Sequence, residues 1–296
     1  MRIGIDLGGT KIEIIALDDA GVELQRKRVA TPQGDYQRIL KAIALLIIDI
    51  EKLTQQTGSI GIGTPGALSP ATGLMRNSNS ICLNGMPVKK DLENLLQRPL
   101  RMANDANCFA LSEATDGAAQ GAAVVFGVIV GTGTGAGVVV NRQVLTGPNA
   151  IAGEWGHNPL PWPQDSERPG HGCYCGKHGC IETFLSGPAF ERDYQLITDE
   201  KIRADEIVIR AENNEVHAEQ CLQRYEDRMA RSLAHIINVL DPDVIVLGGG
   251  MSNIQRLYKN VPVIWGQYVF SDVVLTRLVP PKYGDSSGVR GAAWLW

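Results

Sequence analysis

The sequence lacks any long uninterrupted hydrophobic run. Its longest aliphatic stretch, Ala42 to Ile48, is far shorter than the roughly 20 residues that a helix needs to cross a bilayer. The first residues, MRIGIDLGGTK, place Asp6 and Lys11 where a signal peptide is apolar. These absences predict a cytoplasmic protein with no membrane partner. In that compartment the six cysteines are expected to be free thiols or metal ligands rather than disulfides.

The chain also lacks an excess of positive charge. Its 28 Lys and Arg residues are outnumbered by 32 Asp and Glu residues, so its formal net charge is −4. Binding to nucleic acid generally needs a basic surface, and this balance argues against it. Low-complexity segments and charge blocks are missing as well. A chain of 296 residues, 44% of them hydrophobic, is long enough for about two globular domains at roughly 150 residues each.

Two nucleotide-binding signatures are missing or incomplete. No Gly-x4-Gly-Lys-Ser/Thr string occurs, which excludes the ordinary P-loop. The residues Gly131-x-Gly133-x-x-Ala136 match the relaxed dinucleotide fingerprint, but that fingerprint requires a helix directly after the turn. Here Val138 to Val140 follow, and three β-branched residues favour a strand. The segment is therefore predicted to be a hairpin and not a Rossmann turn.

Two glycine-rich hairpins are present about 125 residues apart. Residues 3–15 and 126–140 both have the pattern of a strand, a turn of glycine and threonine, and a second strand. Such turns can aim backbone N–H groups at phosphate oxygens. The repetition predicts a duplicated architecture with a cleft between its halves, although two unrelated hairpins would show the same pattern.

The sequence predicts a long helix after each of these hairpins. Apolar residues recur with a helical period from Asp35 to Gln56 and from Ala218 to Leu240, and Pro242 ends the second helix. A buried-type strand, Val244 to Leu247, follows and leads into Gly248-Gly249-Gly250. Strands that alternate with helices in this way predict an α/β fold with mostly covered sheets.

Two aspartates, one before a glycine turn and one before a helical stretch, stand in positions suited to phosphoryl transfer. Asp6, just before the first glycine turn, can hold a Mg²⁺-bound water or simply cap its own turn. Asn104-Asp105 precedes a helical stretch, where both residue types are good N-caps. Alternatively, the helix dipole keeps Asp105 ionised, and its carboxylate accepts a proton from an attacking sugar hydroxyl. Sequence spacing leaves both pairs of alternatives open.

The most specific feature is a cluster of cysteines. Cys173, Cys175 and Cys180 lie within eight residues and are separated by glycines, which suits a closed tetrahedral Cys3His zinc site with a structural role. His157, His171 and His178 compete for the fourth position, and three reduced surface thiols are the alternative. Glu154 and Glu182 flank the cluster, where they are either sugar-binding carboxylates or ordinary solvated acids.

Five motifs together resemble the ROK family (repressors, open reading frames and kinases). They are Asp6-Leu-Gly-Gly-Thr-Lys11, Asn104-Asp105-Ala-Asn107, Gly131-Thr-Gly-Thr-Gly135, Glu154-x-Gly-His157 and Cys173-x-Cys175-Gly-x-x-Gly-Cys180-x-Glu182. The resemblance runs from residue 3 to the C-terminus. Within the family the chain looks most like bacterial fructokinases, also described as mannokinases, because of the segments 153–162 and 284–296.

The resemblance implies an actin-like ATPase (ribonuclease H-like) fold of two lobes with a central ATP and sugar cleft. We expect an N-terminal lobe at residues 1–108, with a C-terminal helix at 286–296 packing on it. A C-terminal lobe at 109–285 would include the zinc loop 157–180. It also implies a homodimer, and transfer of phosphate from MgATP to the 6-hydroxyl of fructose, with mannose as a further substrate.

Matching the motifs residue by residue implies a set of functional positions. Asp105 becomes the catalytic base. The expected sugar ligands are Gly66, Asn104, Asp105, Glu154, His157 and Glu182. The expected contacts to MgATP are Asp6, Gly8, Gly9, Thr10, Lys11, Gly131, Thr132, Gly133, Gly248, Gly249 and Gly250. The expected zinc ligands are His157, Cys173, Cys175 and Cys180, and His157 is expected to use its second ring nitrogen for the sugar.

Other functions use similar motifs. An N-acetylglucosamine kinase or a glucokinase shares them, and the loops 77–84 and 158–163 are expected to decide between the sugars. The repressors of the family add an N-terminal winged helix, for which we expect no room before Asp6, so DNA binding is not predicted. A non-catalytic sugar-binding module is disfavoured because both glycine turns and Asp105 are intact.

Overall fold

A computed structural model describes residues 1–296, with the side chain of Asp285 excepted, and it shows an α/β fold. The strands are β1 Arg2–Leu7, β2 Lys11–Leu17, β3 Glu23–Ala30, β4 Ser59–Thr64, β5 Ala67–Leu68, β6 Met75–Arg76, β7 Arg101–Asn104, β8 Val124–Val130, β9 Thr134–Val140, β10 Gln143–Val144, β11 Val244–Gly248 and β12 Arg277–Val279. The α-helices are α1 Tyr36–Thr54, α2 Val88–Leu96, α3 Asp105–Thr115, α4 Glu182–Leu185, α5 Gly187–Thr198, α6 Ala204–Glu212, α7 Val216–Leu240, α8 Leu257–Trp265 and α9 Ser287–Ala293. No described helix is both long enough and apolar enough to cross a membrane.

The first compact unit comprises residues 1–121, 137–152 and 282–296. Its five-stranded sheet has the order β3-β2-β1-β4-β7, in which β1, β2 and β3 are antiparallel while β4 and β7 continue parallel to β1. Helix α1 buries Ile39, Ile43 and Ile47 in the core of this unit, as its helical period predicts. Asp35 caps its first turn by accepting a hydrogen bond from the Arg38 N–H.

The second compact unit comprises residues 122–136 and 153–281. The second five-stranded sheet has the order β10-β9-β8-β11-β12, and β8, β11 and β12 are parallel. This order repeats that of the first sheet, with β8 in the place of β1, so the predicted duplication is confirmed at the level of topology. The lobe boundaries given above remain a prediction.

The structure also decides between a hairpin and a Rossmann turn at residues 131–137. Strand β9 begins at Thr134, directly after the turn, and no helix follows the glycines. The dinucleotide fingerprint is therefore absent, as the β-branched residues predict. The sequence pattern places the end of the turn at Gly137. In the structure the turn is shorter, because residues 134–137 already belong to β9.

Helix α9 lies against the first sheet at a distance that only glycine permits. A Cβ atom at Gly61 would lie 1.8 Å from the carbonyl oxygen of Ala292, and one at Gly291 would lie 1.6 Å from that of Cys108. Both glycines are therefore needed for close packing of α9 on β4 and α3. This contact brings the C-terminal segment to the strand that carries Asp6.

A buried arginine anchors the long loop of the second unit to helix α7. The side chain of Arg231 is 1% exposed and donates to both carboxylate oxygens of Glu167, at 2.9 and 3.0 Å. It also donates to the carbonyl oxygens of Pro161 and Trp162. Arg228 donates to the same Glu167 carboxylate at 2.8 Å. The loop before the cysteine cluster is therefore fixed by charged hydrogen bonds as well as by packing.

We expect Arg231→Met to lower the free energy of unfolding by about 3–5 kcal/mol, because removing one partner leaves a buried carboxylate and two carbonyls with fewer donors. Urea denaturation of the purified protein measures this change. Arg203→Met is the control, since Arg203 is exposed and, among the described side chains, pairs only with Asp205, and exposed ion pairs contribute little to stability. A loss at Arg231 no larger than that at Arg203 would contradict the anchoring role.

Candidate functional site

The first glycine turn, residues 8–10, joins β1 to β2. The Gly8 N–H donates to the Lys11 carbonyl at 3.0 Å, which closes the turn. Thr31, directly after β3, fixes the turn, because its hydroxyl donates to the Gly8 carbonyl and its N–H donates to the Thr10 carbonyl. Gly9 and Thr10 are exposed. The turn is therefore rigid and accessible, as a phosphate-binding turn must be.

Asp6 is partly buried on β1 and lies opposite Glu13 of β2. Burial, together with the negative charges of Asp105 and Glu13, raises the pKa of Asp6 to about 6 against the opposing effect of Lys11 and Arg28. The structure thus brings Asp6 and Asp105 close enough to repel each other. Two carboxylates that repel each other are suited to a divalent cation, whose charge would relieve the repulsion.

We expect Asp6→Asn to stabilise the protein at pH 8 in the absence of Mg²⁺. Because the folded-state pKa of Asp6 is about 6 and its ordinary value is 3.8, the native state binds this proton more tightly than the unfolded chain does. Stability is therefore lost as pH rises between these two values. Removing the charge should restore up to about 3 kcal/mol at pH 8 and almost nothing below pH 4.

Urea denaturation at pH 8 and at pH 3.5 measures the difference between Asp6→Asn and the wild type. Asp19→Asn is the control, because the Asp19 side chain is 85% exposed and should change stability little at either pH. The same Asp6 variant should lose activity if Asp6 holds the cation. A variant less stable than the wild type at pH 8 would contradict the argument.

Asn104 and Asp105 form the start of helix α3, immediately after β7. The N-cap is Asn104, whose Oδ1 accepts a hydrogen bond from the Asn107 N–H at 2.8 Å. Asp105 is the first helical residue, is exposed, and accepts from the Ala106 N–H at 2.8 Å. The capping role that competes with the functional interpretation of Asp105 thus belongs to its neighbour. A carboxylate in the first turn of a helix interacts favourably with the helix dipole, and its exposure leaves it accessible to a substrate hydroxyl.

Gly66 follows β4 in the same unit. Its φ of 85° is in the left-handed region, and a Cβ atom there would lie 2.4 Å from the Arg76 carbonyl. Glycine is therefore required by the backbone at this position. Its predicted place in the sugar pocket remains a prediction.

The second glycine turn, residues 131–133, joins β8 to β9. The Gly131 N–H donates to the Gly133 carbonyl at 2.9 Å, and the Gly187 N–H donates to the Gly131 carbonyl at 2.8 Å. The carboxylate of Glu182 accepts from the Thr134 N–H at 2.9 Å. A Cβ atom at Gly133 would lie 2.8 Å from this carboxylate. Glu182 thus supports the turn, a contact over 48 residues that sequence spacing does not indicate.

Gly248 to Gly250 end strand β11 in the second unit. Gly249 has a φ of 77°, and a Cβ atom there would lie 2.4 Å from the Val130 carbonyl. Gly250 begins a short 3₁₀ turn, in which the Ser252 hydroxyl donates to the Gly249 carbonyl. The glycines therefore allow β11 to turn tightly beside the end of β8. Their predicted proximity to the adenosine remains a prediction.

The cysteine motif forms a cluster with His157 and not with the two other candidate histidines. One ligand atom each from His157, Cys173, Cys175 and Cys180 lies within 4.8 Å of all the others. The Cys173 Sγ is 3.5 Å from the His157 Nδ1, and the Cys175 Sγ is 3.6 Å from the Cys180 Sγ. The structure therefore resolves the choice of histidine that spacing leaves open.

These distances fit a tetrahedral zinc ion. With Zn–S bonds of about 2.3 Å and a Zn–N bond of about 2.05 Å, ideal angles give about 3.8 Å between sulfurs and about 3.5 Å between sulfur and nitrogen. The separations between the side chains agree with both values. The four donors leave no coordination position for water, which is typical of a structural site. The residues thus fit the ion that the donor set implies.

Tyr174 is the residue that sequence analysis does not single out. Its hydroxyl lies 2.9 Å from the His157 Nε2, and the two rings make an edge-to-face contact with centroids 5.0 Å apart. If Nδ1 binds the metal, Nε2 carries the proton and donates to Tyr174. The position of Tyr174 between Cys173 and Cys175 is the sequence feature that could have indicated its contact with the cluster.

Glu154 is exposed and precedes a 3₁₀ turn over Trp155–His157. Trp155 is buried against Phe126 of β8, with ring centroids 5.7 Å apart, and so fixes the position of this turn in the second unit. The loop that follows is also fixed, since the Leu160 N–H donates to the Gly179 carbonyl and the Ile181 N–H donates to that of Asn158. Glu154, His157 and Glu182 are thus attached to one framework.

Comparison with known proteins agrees with this arrangement. The model of the ROK family matches residues 2–296. The chain belongs to the ROK family. Among solved structures, a ROK hexokinase from Thermus thermophilus is similar with a TM-score of 0.89 and 31% identity, covering 99% of this chain and 97% of the other. The predicted α/β class and actin-like ATPase fold of the family are confirmed.

Curated relatives of this ROK protein span its whole length. An N-acetyl-D-glucosamine kinase of Vibrio atlanticus is 40% identical over 299 aligned residues, which cover 100% of this chain and 99% of the relative. An N-acetyl-D-glucosamine kinase of Yersinia pseudotuberculosis is 38% identical and covers 100% and 98%. These names differ from the fructokinases that the segments 153–162 and 284–296 resemble, and they favour the N-acetylglucosamine alternative.

Proposed function

We propose that this protein is an ATP-dependent hexose kinase that phosphorylates the 6-hydroxyl of N-acetyl-D-glucosamine. The observation that carries the sugar assignment is the identity of about 40% over the full length with relatives of that activity. The pair Asp6 and Asp105 beside a glycine turn is compatible with phosphoryl transfer. The kinase class rests on membership of the family, and the choice of sugar is the finer proposal.

The proposed reaction uses each carboxylate differently. Asp105 orients the 6-hydroxyl and accepts its proton as the bond to the γ-phosphorus forms and the bond to the ADP oxygen breaks. Because the transition state of such transfers is loose, orientation of the hydroxyl contributes more than the strength of the base. Asp6 holds the water shell of the Mg²⁺ ion that accompanies ATP. Backbone N–H groups of the turns at 8–10 and 131–133 bind phosphate oxygens.

The proposed sugar ligands are Asn104, Glu154, His157 and Glu182, with Gly66 lining the pocket. Carboxylates that are fixed by a rigid loop suit bidentate hydrogen bonds to neighbouring sugar hydroxyls. Glu182 also accepts from Thr134, so a sugar that binds this carboxylate is linked to the second glycine turn. His157, Cys173, Cys175 and Cys180 would hold a structural zinc ion, which would order the loop that carries Glu154 and His157.

Fructose is the second candidate. The residues Gly153 to Trp162 and the segment 284–296 resemble bacterial fructokinases. In the structure the loop at 158–162 is held to α7 by Arg231, and Trp162 stacks on Tyr268 with ring centroids 5.3 Å apart. A rigid loop of this kind is suited to selecting between sugars, whichever of the two it accepts.

An ADP-release assay with MgATP tests the proposal against N-acetyl-D-glucosamine, fructose, mannose and glucose, ranked by kcat/KM. We expect N-acetyl-D-glucosamine to exceed the others at least about tenfold, the discrimination that roughly 1.4 kcal/mol of differential binding gives. Omission of the sugar gives the background hydrolysis of ATP. Preference for fructose would replace the sugar assignment and retain the kinase, while no turnover with any sugar would refute the kinase itself.

A further inference from the structure

A cavity of about 260 Å³ lies in the second unit on the side of α5 and α7. Its wall includes Arg168 and His171 of the loop before the cysteines, Thr183 of α4, Arg192 of α5 and Arg228 of α7. None of these residues is among the predicted ATP or sugar ligands. Three arginines in one wall give the cavity a cationic character that the proposed kinase reaction does not use.

Two carboxylates in the wall are already neutralised. Glu167 accepts from Arg228 and Arg231 at 2.8 to 3.0 Å. Asp193 pairs with Arg224 at 3.1 Å and with Arg228 at 3.2 Å. Each of these two carboxylates therefore pairs with two arginines. Neither is available to balance the charge of another arginine in the wall.

Arg192 is the uncompensated cation. Among the described residues, no carboxylate lies within ion-pair distance of its guanidinium, and its Nη2 donates to the Thr183 carbonyl at 2.5 Å. Its Nε is buried without a hydrogen-bond partner. Burial lowers the pKa of Arg192, and the charge of Arg228 adds to this effect while Asp193 opposes it. A half-buried guanidinium with vacant donors is stabilised by an anion.

We propose that this cavity binds a phosphate group, with Arg192 as its principal ligand and Arg228 and Arg168 as supporting charges. Arginine presents paired N–H donors that match the oxygens of a phosphate. The volume accommodates inorganic phosphate or the phosphate end of a small phosphate ester. The site adjoins the second glycine turn through hydrogen bonds, because Arg192 donates to Thr183, the residue after Glu182, and Glu182 supports that turn.

Isothermal titration of the full-length, zinc-loaded protein with inorganic phosphate and with glucose 6-phosphate tests the site. A saturating non-hydrolysable ATP analogue blocks the nucleotide site during both titrations. We expect Arg192→Gln to weaken phosphate binding at least about tenfold, whereas the control Arg203→Gln, an exposed arginine outside the cavity wall, binds as the wild type does. Tighter binding of the ester would identify it as the preferred source of the phosphate group, and equal binding would identify inorganic phosphate as sufficient.

Unchanged binding in Arg192→Gln, or no binding by the wild type in the presence of the analogue, would overturn the proposal. Arg192→Lys covers the case in which the glutamine variant does not fold, because it keeps the charge and loses the paired donors. We expect this variant to bind phosphate several-fold more weakly than the wild type, and equal affinity would also overturn the site. These titrations do not depend on turnover, so their failure is distinct from failure of the kinase assignment.

Discussion

Asp105→Asn is expected to lower kcat by about 10²- to 10⁴-fold, the contribution typical of a positioned general base. Asparagine preserves the acceptor for the Ala106 N–H, and the helix keeps its cap because that role belongs to Asn104. The variant should therefore fold and bind sugar almost normally. Loss of kcat with a nearly unchanged Kd for the sugar identifies a group that acts in the transition state.

The measurement combines steady-state kinetics with a calorimetric Kd for the sugar. Asp35→Asn is a matched control, because Asp35 is also an aspartate at a helix N-terminus of the first unit and caps α1 through the Arg38 N–H. Asparagine is an equally good cap, so this control should retain activity and stability. A kcat within threefold of the wild type for Asp105→Asn would remove Asp105 from the mechanism.

Cys180→Ala is expected to abolish zinc binding and to destabilise the loop that carries Glu154 and His157. The Cys180 side chain is buried and its Sγ lies 3.6 Å from that of Cys175, so no neighbouring thiol can replace it without moving the backbone. Apparent binding energies of structural zinc reach about 10–16 kcal/mol in small zinc domains, and their loss commonly unfolds the surrounding segment. Activity should fall because the proposed sugar ligands lose their common support.

Metal analysis of the purified protein gives the primary readout, with about one zinc ion per chain expected for the wild type and almost none for Cys180→Ala. Limited proteolysis then reports order in residues 158–180 independently of activity. Cys82→Ser is the control, since Cys82 lies outside the cluster in the first unit and should leave the zinc content unchanged. A wild-type protein that contains no metal and tolerates chelators would contradict the assignment.

Tyr174 gives the metal site a feature that four ligands alone do not provide. Its hydroxyl is hydrogen-bonded to Nε2 of His157, the ring nitrogen that is not the one beside the Cys173 thiol. The expected contact between this nitrogen and the sugar must therefore include or displace the Tyr174 hydroxyl. Such outer contacts fix the tautomer and orientation of a metal-bound histidine, which makes Tyr174 part of the functional loop.

The sequence by itself determined the local elements of this protein. The helical period predicted α1 and α7 to within two residues at each end, and the glycine hairpins predicted β1, β2, β8 and β9 together with the exclusion of a Rossmann turn. The cysteine spacing predicted the cluster. These features depend on residues that are near one another in the chain, so periodicity and turn chemistry encode them directly.

Only the tertiary structure decided which distant groups meet. It chose His157 over His171 and His178, gave the N-cap of α3 to Asn104, and joined Glu182 to the turn before Thr134. These contacts depend on how sheets and helices pack, and many residues share in setting that packing. A pattern along the chain cannot specify them, because burial and pairing free energies belong to the assembled structure and not to any short segment.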